Sequence, residues 1–208
     1  MKIAILAVQG AFMEHKYILQ LLGAETVELR KNEDLKQDFD GIILPGGEST
    51  VQGKLLRELY MFEDIKRRIQ QGMPVLATCA GLILLAEQIA NSSDRYFATL
   101  PVTVQRNAYG RQLGSFSTMA HISGISEEDK VFPLKFIRAP YIQWMNNKRE
   151  VKPIVSIKKM PDGSYGENIV GVRYKNQIGL AFHPELTIDY RFHEIFLKEC
   201  GHNHVRVT

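Results

Sequence analysis

Three continuous apolar runs in the first eighty residues restrict the fold of this chain more than any other feature. They occupy residues 3–8, 41–44 and 74–77, and each ends abruptly at a polar or turn-forming residue. Short continuous runs of this kind are typical of strands that are buried on both faces, as in a parallel sheet. Residues 26–29 form a further strand-like segment.

The segments between these strands carry apolar residues at helical spacing. Residues 12–22 and 81–90 each predict one helix, and residues 55–69 predict one or two short helices. Strands that alternate with helices indicate right-handed crossovers and a doubly wound sheet. The predicted fold class is therefore α/β, with three α/β/α layers and a mostly parallel central sheet.

After about residue 95 the pattern changes to short strand-like stretches separated by turn residues. These stretches cover residues 101–104, 113–116, 131–132, 154–157 and 170–172. Residues 161–163 carry a hairpin turn signal, and an apolar strand at 178–182 precedes a closing helix around 188–196. The second half thus predicts additional antiparallel strands, and we expect residues 1–208 to form one domain.

The composition argues against several classes of function. The 26 basic and 23 acidic residues leave a net charge of only +3, which argues against a dedicated nucleic-acid binder. Two cysteines do not make a disulfide framework, and six apolar residues at 3–8 are too few for a signal peptide or membrane span. We expect a cytoplasmic protein that needs no metal and no cofactor.

Cys79 lies where the strand at residues 74–77 meets the next helix. A thiol reacts as its thiolate, which the free N–H groups and positive dipole of a helix N-terminus stabilise. Small residues on either side, Ala77 and Gly81, permit the sharp turn of a nucleophile elbow. A buried structural cysteine fits the same local sequence, so the choice depends on the rest of the chain.

His183 and Glu185 have the pattern of a base and its orienting carboxylate. His183 follows the strand at residues 178–182, and open α/β sheets place their sites at such strand ends. Pro184 stiffens the turn, so Glu185 can reach back and set the tautomer of the imidazole. The other histidines, among them His15 and His193, lack such a context.

The loop at residues 45–50 reads Pro-Gly-Gly-Glu-Ser-Thr and follows the strand at 41–44. Two glycines let backbone N–H groups turn toward a ligand, as an oxyanion hole requires. Ser49 or Thr50 is a candidate cap for the next helix. A phosphate-binding loop or an ordinary turn stays open as an alternative, although neither common glycine-rich phosphate motif is present.

Taken together, these residues resemble the class I glutamine amidotransferases, and more closely the family of glutaminase subunits of two-part pyridoxal 5′-phosphate synthases. The resemblance spans nearly the whole chain, in residues 7–10, 44–50, 77–86, 106–112, 136–140 and 181–187. The cysteine elbow with a later His-Pro-Glu is specific for the superfamily. The Gly-Gly-Glu-Ser-Thr loop and the segments around Arg106 and Arg138 distinguish the family.

The resemblance implies hydrolysis of L-glutamine to L-glutamate and ammonia through a glutamyl thioester. It assigns the catalytic roles to Cys79, His183 and Glu185, and the oxyanion hole to the N–H groups of Gly47 and Ala80. It assigns glutamine contacts to Gly47, Glu48, Ser49, Arg106, Ile137 and Arg138. It also implies a hetero-oligomeric complex in which a (β/α)₈-barrel synthase subunit receives the ammonia and activates the glutaminase.

One departure from the family and several competing functions stay open. The family usually has Gly where this chain has Ala77, which questions the geometry of the elbow. The competing functions are a glutaminase subunit of another amidotransferase, such as imidazole-glycerol-phosphate synthase, a non-catalytic regulatory α/β module, and a cysteine-based redox or chaperone protein. The last of these has no need for His-Pro-Glu.

Overall fold

A computed structural model describes residues 1–90, 92–106, 115–122, 131–159 and 165–205 of the chain. The predicted turn at 161–163 lies outside these residues, as do residues 113–114 of one predicted strand and residues 107–112 of one motif. None of the helices within the described ranges has the length and apolar composition that crossing a membrane requires.

The described residues alternate between strands and helices in the first half and are mostly strands in the second. The strands are β1 (Lys2–Leu6), β2 (Glu25–Leu29), β3 (Gly41–Leu44), β4 (Val75–Thr78), β5 (Ala86–Ile89), β6 (Leu100–Gln105), β7 (Ser115–His121), β8 (Val131–Ile137), β9 (Tyr141–Met145), β10 (Lys152–Lys159), β11 (Tyr165–Tyr174) and β12 (Gln177–Leu180). The helices are α1 (Phe12–Leu21), α2 (Ser49–Glu58), α3 (Phe62–Gln70), α4 (Ala80–Leu85) and α5 (Arg191–Val205). Short 3₁₀ helices cover Asn32–Lys36 and Pro184–Leu186.

Seven of these strands form the central sheet in the order β10-β11-β12-β4-β3-β1-β2. The strands from β12 to β2 run parallel, whereas β10 and β11 are antiparallel to their neighbours. Strands β3, β4 and β12 are buried at every residue, which explains their continuous apolar sequence. The prediction of a mostly parallel sheet with added antiparallel strands is confirmed.

Helices cover both faces of this sheet because its crossovers run in opposite directions from β1 and β3. The connection from β1 to β2 carries α1, and the connection from β3 to β4 carries α2 and α3 and runs the opposite way across the sheet. Since both crossovers are right-handed, α1 lies on one face and α2 and α3 lie on the other. Helix α5 lies beside α1, since the rings of His15 and His193 are in contact. Helix α4 packs against α2.

The remaining strands form two small sheets next to the central one. One has the order β5-β6-β9, and the other is the hairpin of β7 and β8. Aromatic rings join the hairpin to the centre, because Phe132 and Phe136 of β8 pack against Phe182, which follows β12. A hydrogen bond of 2.8 Å from His183 N–H to Lys135 O also links them.

The predicted helix at residues 81–90 is wrong in its second half. Helix α4 ends at Leu85, and residues 86–89 form strand β5, paired with β6. All six residues of α4 are buried, and strand β5 follows directly at Ala86 with no turn residue to mark the boundary. The predicted stripe at 55–69 is two helices, separated at Tyr60 with φ of 56°. The closing helix begins at Arg191. Ile188, which the sequence pattern placed in this helix, precedes it and is 92% exposed.

Candidate active site

The candidate site lies where three neighbouring strands of the central sheet end. Strands β3, β4 and β12 are adjacent and parallel, so their carboxyl ends lie at one edge of the sheet. The glycine loop follows β3, Cys79 follows β4, and His183 follows β12. Open α/β sheets bind their ligands at this edge.

Cys79 occupies a strained turn between β4 and α4. Its φ of 48° and ψ of −101° are rare for a residue with a side chain and cost roughly 1–3 kcal/mol. The turn is held by a hydrogen bond of 2.8 Å from Cys79 N–H to Leu180 O. Gly81 permits the close approach of α4 to β3, because a Cβ there would overlap Leu44 O.

Ala77 does not cause this strain. It is a regular residue of β4, paired with Gly179 on one side and Leu44 on the other, and its φ is not positive. The unusual dihedral angles therefore fall on the nucleophile candidate itself. The methyl group of Ala77 is fully buried within the core and does not distort the strand.

His183 and Glu185 are joined by a buried hydrogen bond. The distance from His183 Nδ1 to Glu185 Oε1 is 2.7 Å, and both residues are buried. Pro184 opens the 3₁₀ turn that carries Glu185 back to the ring. The Cys79 side chain is also close enough to the same imidazole to raise its pKa. With Nδ1 facing Glu185, the other ring nitrogen, Nε2, is the one available to the thiol.

Two opposing effects set the pKa of His183. Burial lowers it, but the hydrogen bonds and charges of Cys79 and Glu185 outweigh burial and raise the pKa to about 10. These neighbours therefore favour the imidazolium form of the ring. A cation beside a thiol favours its thiolate, which is the nucleophilic form.

Each of the two glycines in the loop after β3 leaves space for a different neighbouring side chain. A Cβ on Gly46 would overlap the ring of His183, and one on Gly47 would overlap the amide oxygen of Gln9. Gly46 O accepts a hydrogen bond of 3.0 Å from Ala11 N–H. Because the peptide is planar and trans, the N–H of Gly47 points away from Ala11.

Gln9 and Gln52 hold this loop in place. Gln9 Oε1 accepts the N–H of Glu48 at 2.8 Å, while Gln52 Nε2 donates to Gln9 O at 3.0 Å and Pro45 O at 3.2 Å. Within the part of the chain that the structure describes, the N–H groups of Gly47 and Ala80 have no acceptor. They are the two donors that the family resemblance assigns to an oxyanion hole.

A cavity of about 280 Å³ opens above Cys79. Of the predicted site residues, Ala80 and Glu185 are not among its lining residues, while the rest line it: Gly47, Glu48, Ser49, Cys79, Arg106, Ile137, Arg138 and His183. This volume lies near the lower bound of small-molecule sites, about 300 Å³. Ser49 is the first residue of α2 and makes no cap bond; Glu48 takes the cap position instead.

Arg106 is held at the cavity wall by residues that the sequence did not single out. Its Nη2 lies 2.7 Å from Asp94 Oδ2 and 3.4 Å from the hydroxyl of Tyr96, and its Nη1 lies 3.2 Å from Thr50 Oγ1. Arg106 Nε is buried and has no partner among the described residues. The wall thus presents a fixed cationic group.

The hairpin β7–β8 supplies the other wall. Ile137, the last residue of β8, offers its carbonyl oxygen 3.8 Å from Cys79 Sγ. Arg138 follows in a left-handed conformation with φ of 45°. Its side chain is exposed and lines the cavity.

Two histidines without a predicted role are buried directly behind Glu185. His15 and His193 are both fully buried. A hydrogen bond of 2.9 Å joins His15 Nδ1 to His193 Nε2. His15 Nε2 lies 3.5 Å from Glu185 Oε2. Thr78 completes the group, with Oγ1 3.3 Å from His15 Nε2 and 3.4 Å from Glu185 Oε1.

Comparison with known proteins finds similarity to glutamine amidotransferases. Residues 5–202 match the model of the SNO glutamine amidotransferase family. The chain is 58% identical over 197 residues to a protein of Desulfitobacterium hafniense (strain DSM 10664 / DCB-2) named pyridoxal 5′-phosphate synthase subunit PdxT, covering 95% of this chain and 92% of the relative. It is 47% identical to the protein of the same name from Haemophilus influenzae (strain PittGG), covering 96% and 98%.

Solved structures give the same result for the fold. A crystal structure described as a glutamine amidotransferase superposes with a TM-score of 0.83 at 36% identity, covering 96% of this chain and 98% of that one. A protein of Thermoplasma acidophilum described as a putative GMP synthase subunit superposes with a TM-score of 0.65 at 14% identity, covering 100% and 98%. At that identity the second likeness concerns the fold alone.

Proposed function

The chain belongs to the SNO glutamine amidotransferase family, and from this premise we propose that it hydrolyses L-glutamine and delivers the ammonia to a pyridoxal 5′-phosphate synthase. It is a glutaminase, and its product ammonia serves the biosynthesis of vitamin B6. The names of its relatives support this role, since each is called a synthase subunit.

The observation that carries the mechanism is the contact of one imidazole with both a thiol and a buried carboxylate. His183 Nδ1 lies 2.7 Å from Glu185 Oε1, and the Cys79 side chain is close enough to the ring to raise its pKa. A nucleophile, a base and a group that orients the base are the parts that covalent amide hydrolysis needs. A buried structural cysteine has no need for such a partner.

The reaction proceeds through two acyl transfers. The Cys79 thiolate attacks the side-chain amide carbon of glutamine, and the carbonyl oxygen becomes an oxyanion. The N–H groups of Gly47 and Ala80 stabilise this charge, and losing one such donor typically costs ~10²–10³ in turnover. His183 gives its proton to the amide nitrogen, the C–N bond breaks, and ammonia leaves a γ-glutamyl thioester on Cys79.

Hydrolysis of the thioester completes the cycle. His183, now neutral, takes a proton from water as that water attacks the thioester carbon. The C–S bond breaks, glutamate is released, and the Cys79 thiolate and the His183 imidazolium form again. Glu185 keeps the Nδ1 proton on the ring throughout, so that Nε2 always faces the reaction.

The α-carboxylate and α-amino groups of glutamine bind at the cavity walls. Arg106 supplies a guanidinium, which pairs with a carboxylate through two parallel hydrogen bonds. Glu48, Ser49, Ile137 and Arg138 line the same cavity and complete the contacts with glutamine.

The partner in this proposal is a (β/α)₈-barrel synthase subunit in the cytoplasm, which receives the ammonia and raises the activity of the glutaminase. The test is release of glutamate from glutamine, measured with and without the pyridoxal 5′-phosphate synthase barrel subunit. We expect release that rises on addition of the barrel and disappears in Cys79→Ala. Stimulation by an imidazole-glycerol-phosphate synthase barrel instead would favour the other amidotransferase. No release with either barrel would overturn the proposal.

A further inference from the structure

The carboxylate of Glu185 has a second neighbour that the triad does not use. Its Oε1 faces His183 and Thr78, while its Oε2 is buried and has no hydrogen bond among the described residues. His15 Nε2 lies 3.5 Å from Oε2. A contact of this length exceeds a hydrogen bond, but catalytic hydrogen bonds are often long before substrate binds.

The hydrogen positions in this group follow from elimination. If His15 carried its proton on Nδ1, the lone pair of Nε2 could accept the Thr78 hydroxyl but would also face the negative Oε2, and His193 Nδ1 would be a buried donor without an acceptor. If both rings carry the proton on Nε2, His193 donates to His15, and the His15 N–H faces Thr78 Oγ1 at 3.3 Å and Glu185 Oε2 at 3.5 Å. Only His193 Nδ1 then lacks a partner within the described residues, as a lone pair, which costs less than an unpaired charge.

Both histidines are neutral in the folded protein. Burial, followed by the neighbouring His193 and His183, holds the pKa of His15 well below its ordinary value. Burial lowers the pKa of His193 to about 4. A charged His15 would compete with the imidazolium of His183 for the carboxylate, whereas a neutral N–H fixes Oε2 and leaves the full charge to His183.

We propose that His15 is a positioning residue for the Glu185–His183 pair and that His193 fixes the tautomer in which it does so. Thr78 shares the task, because it accepts the N–H of Gly46 at 3.0 Å and lies 3.4 Å from Glu185 Oε1. The group therefore ties the carboxylate to both the nucleophile strand and the glycine loop. The role in catalysis rests on the proposed glutaminase function.

The first experiment reads the tautomer without any assay of activity. The ¹⁵N chemical shifts of histidine-labelled protein are measured across the neutral pH range, with His15→Gln and His193→Phe used to assign the signals. We expect both rings to carry the proton on Nε2 and not to titrate. A His15 signal with the proton on Nδ1, or one that titrates near neutral pH, would overturn the proposal even in an active enzyme.

The second experiment separates positioning from folding. His15→Ala, His15→Gln and the control Ile18→Ala are compared in the complex with the synthase subunit. Ile18 is buried one turn further along α1, and its aliphatic side chain cannot hydrogen-bond the network. We expect kcat to fall roughly 10-fold in His15→Ala with KM for glutamine unchanged, as for partial loss of general acid–base catalysis.

His15→Gln should recover most of the loss, because its amide N–H reaches the position of Nε2. Equal losses in His15→Ala and Ile18→Ala, or no rescue by Gln, would refute the positioning role. Should His15→Ala fail to fold, the comparison of His15→Gln with the parent still decides: a loss as large as 10-fold there contradicts the proposal. An inactive parent complex would refute the glutaminase function, while the ¹⁵N experiment would still test the tautomers.

Discussion

Replacing Gly46 with alanine tests whether the base and the glycine loop are matched in position. A Cβ at Gly46 would overlap His183 Cε1 and lie 2.9 Å from Nδ1 and 3.3 Å from Nε2. Ordinary contact with a Cβ begins at 3.4 Å, so Nδ1 must move by at least 3.4 − 2.9 = 0.5 Å and Cε1 by more. The ring is buried and held by Glu185, so either the ring shifts and distorts this hydrogen bond or the loop moves away from the ring.

The expected loss follows from this displacement. Misplacing a catalytic group by about 1 Å costs roughly 10²-fold in rate, which corresponds to about 2.7 kcal/mol in transition-state stabilisation. We therefore expect kcat/KM for glutamine to fall roughly 100-fold in Gly46→Ala. Weakening the charged hydrogen bond to Glu185 should also lower the free energy of unfolding, by about 1.5–3 kcal/mol.

The assay is glutamate release in the complex with the synthase subunit, with unfolding by denaturant measured in parallel. Gly201→Ala is the matched control, since a Cβ there meets nothing closer than 3.6 Å and lies within α5. The control should keep full activity. Undiminished kcat/KM in Gly46→Ala would show that the ring and loop are not in the contact described, and would refute the reasoning.

Three further predictions concern the nucleophile, the base and the cationic wall. Cys79→Gly should be more stable to denaturant than Cys79→Ala by about 1 kcal/mol, because only glycine adopts φ of 48° with ψ of −101° without strain. Both variants should be inactive. Equal stability of the two variants would contradict backbone strain at Cys79. Folding raises the pKa of His183 from 6.5 to about 10, so its contribution to stability is complete below pH 6.5 and is lost as pH rises through about 10. Denaturant unfolding at a series of pH values should show this loss in the parent protein and not in His183→Gln. Arg106→Ala should raise KM for glutamine at least 10-fold with little change in kcat, because the guanidinium binds substrate and not the reacting amide; a fall in kcat at constant KM would move Arg106 from substrate binding to catalysis.

Much of the central sheet was predictable because its strands are buried on both faces. Strands β1, β3, β4 and β12 are continuous apolar runs, and runs of this length between turn residues are typical of parallel strands. Strand β5 was not predictable, since it follows a helix of six buried residues and its state depends on pairing with β6. Local sequence does not contain that tertiary contact.

The candidate site likewise contains residues that the sequence predicts and residues that it does not. The residues proposed for the reaction lie in short motifs at strand ends, where topology brings them together. The contact of His15 with His193 joins residues 178 positions apart on two helices, and neither helix carries a motif that marks it. Asp94 and Tyr96 were missed for a similar reason, because their link to Arg106 depends on the path of the chain before β6.

The hydrogen bond from His183 N–H to Lys135 O has a consequence for how such a site can evolve. The hairpin that ends in Ile137 and Arg138 forms a wall for the substrate, and the same hairpin holds the backbone of the base. A mutation that tilts the hairpin to admit a differently shaped amide therefore also shifts the base relative to Cys79. Substrate range and turnover are therefore coupled in this scaffold. Selection for a new substrate passes through variants that react slowly with both the old and the new substrate.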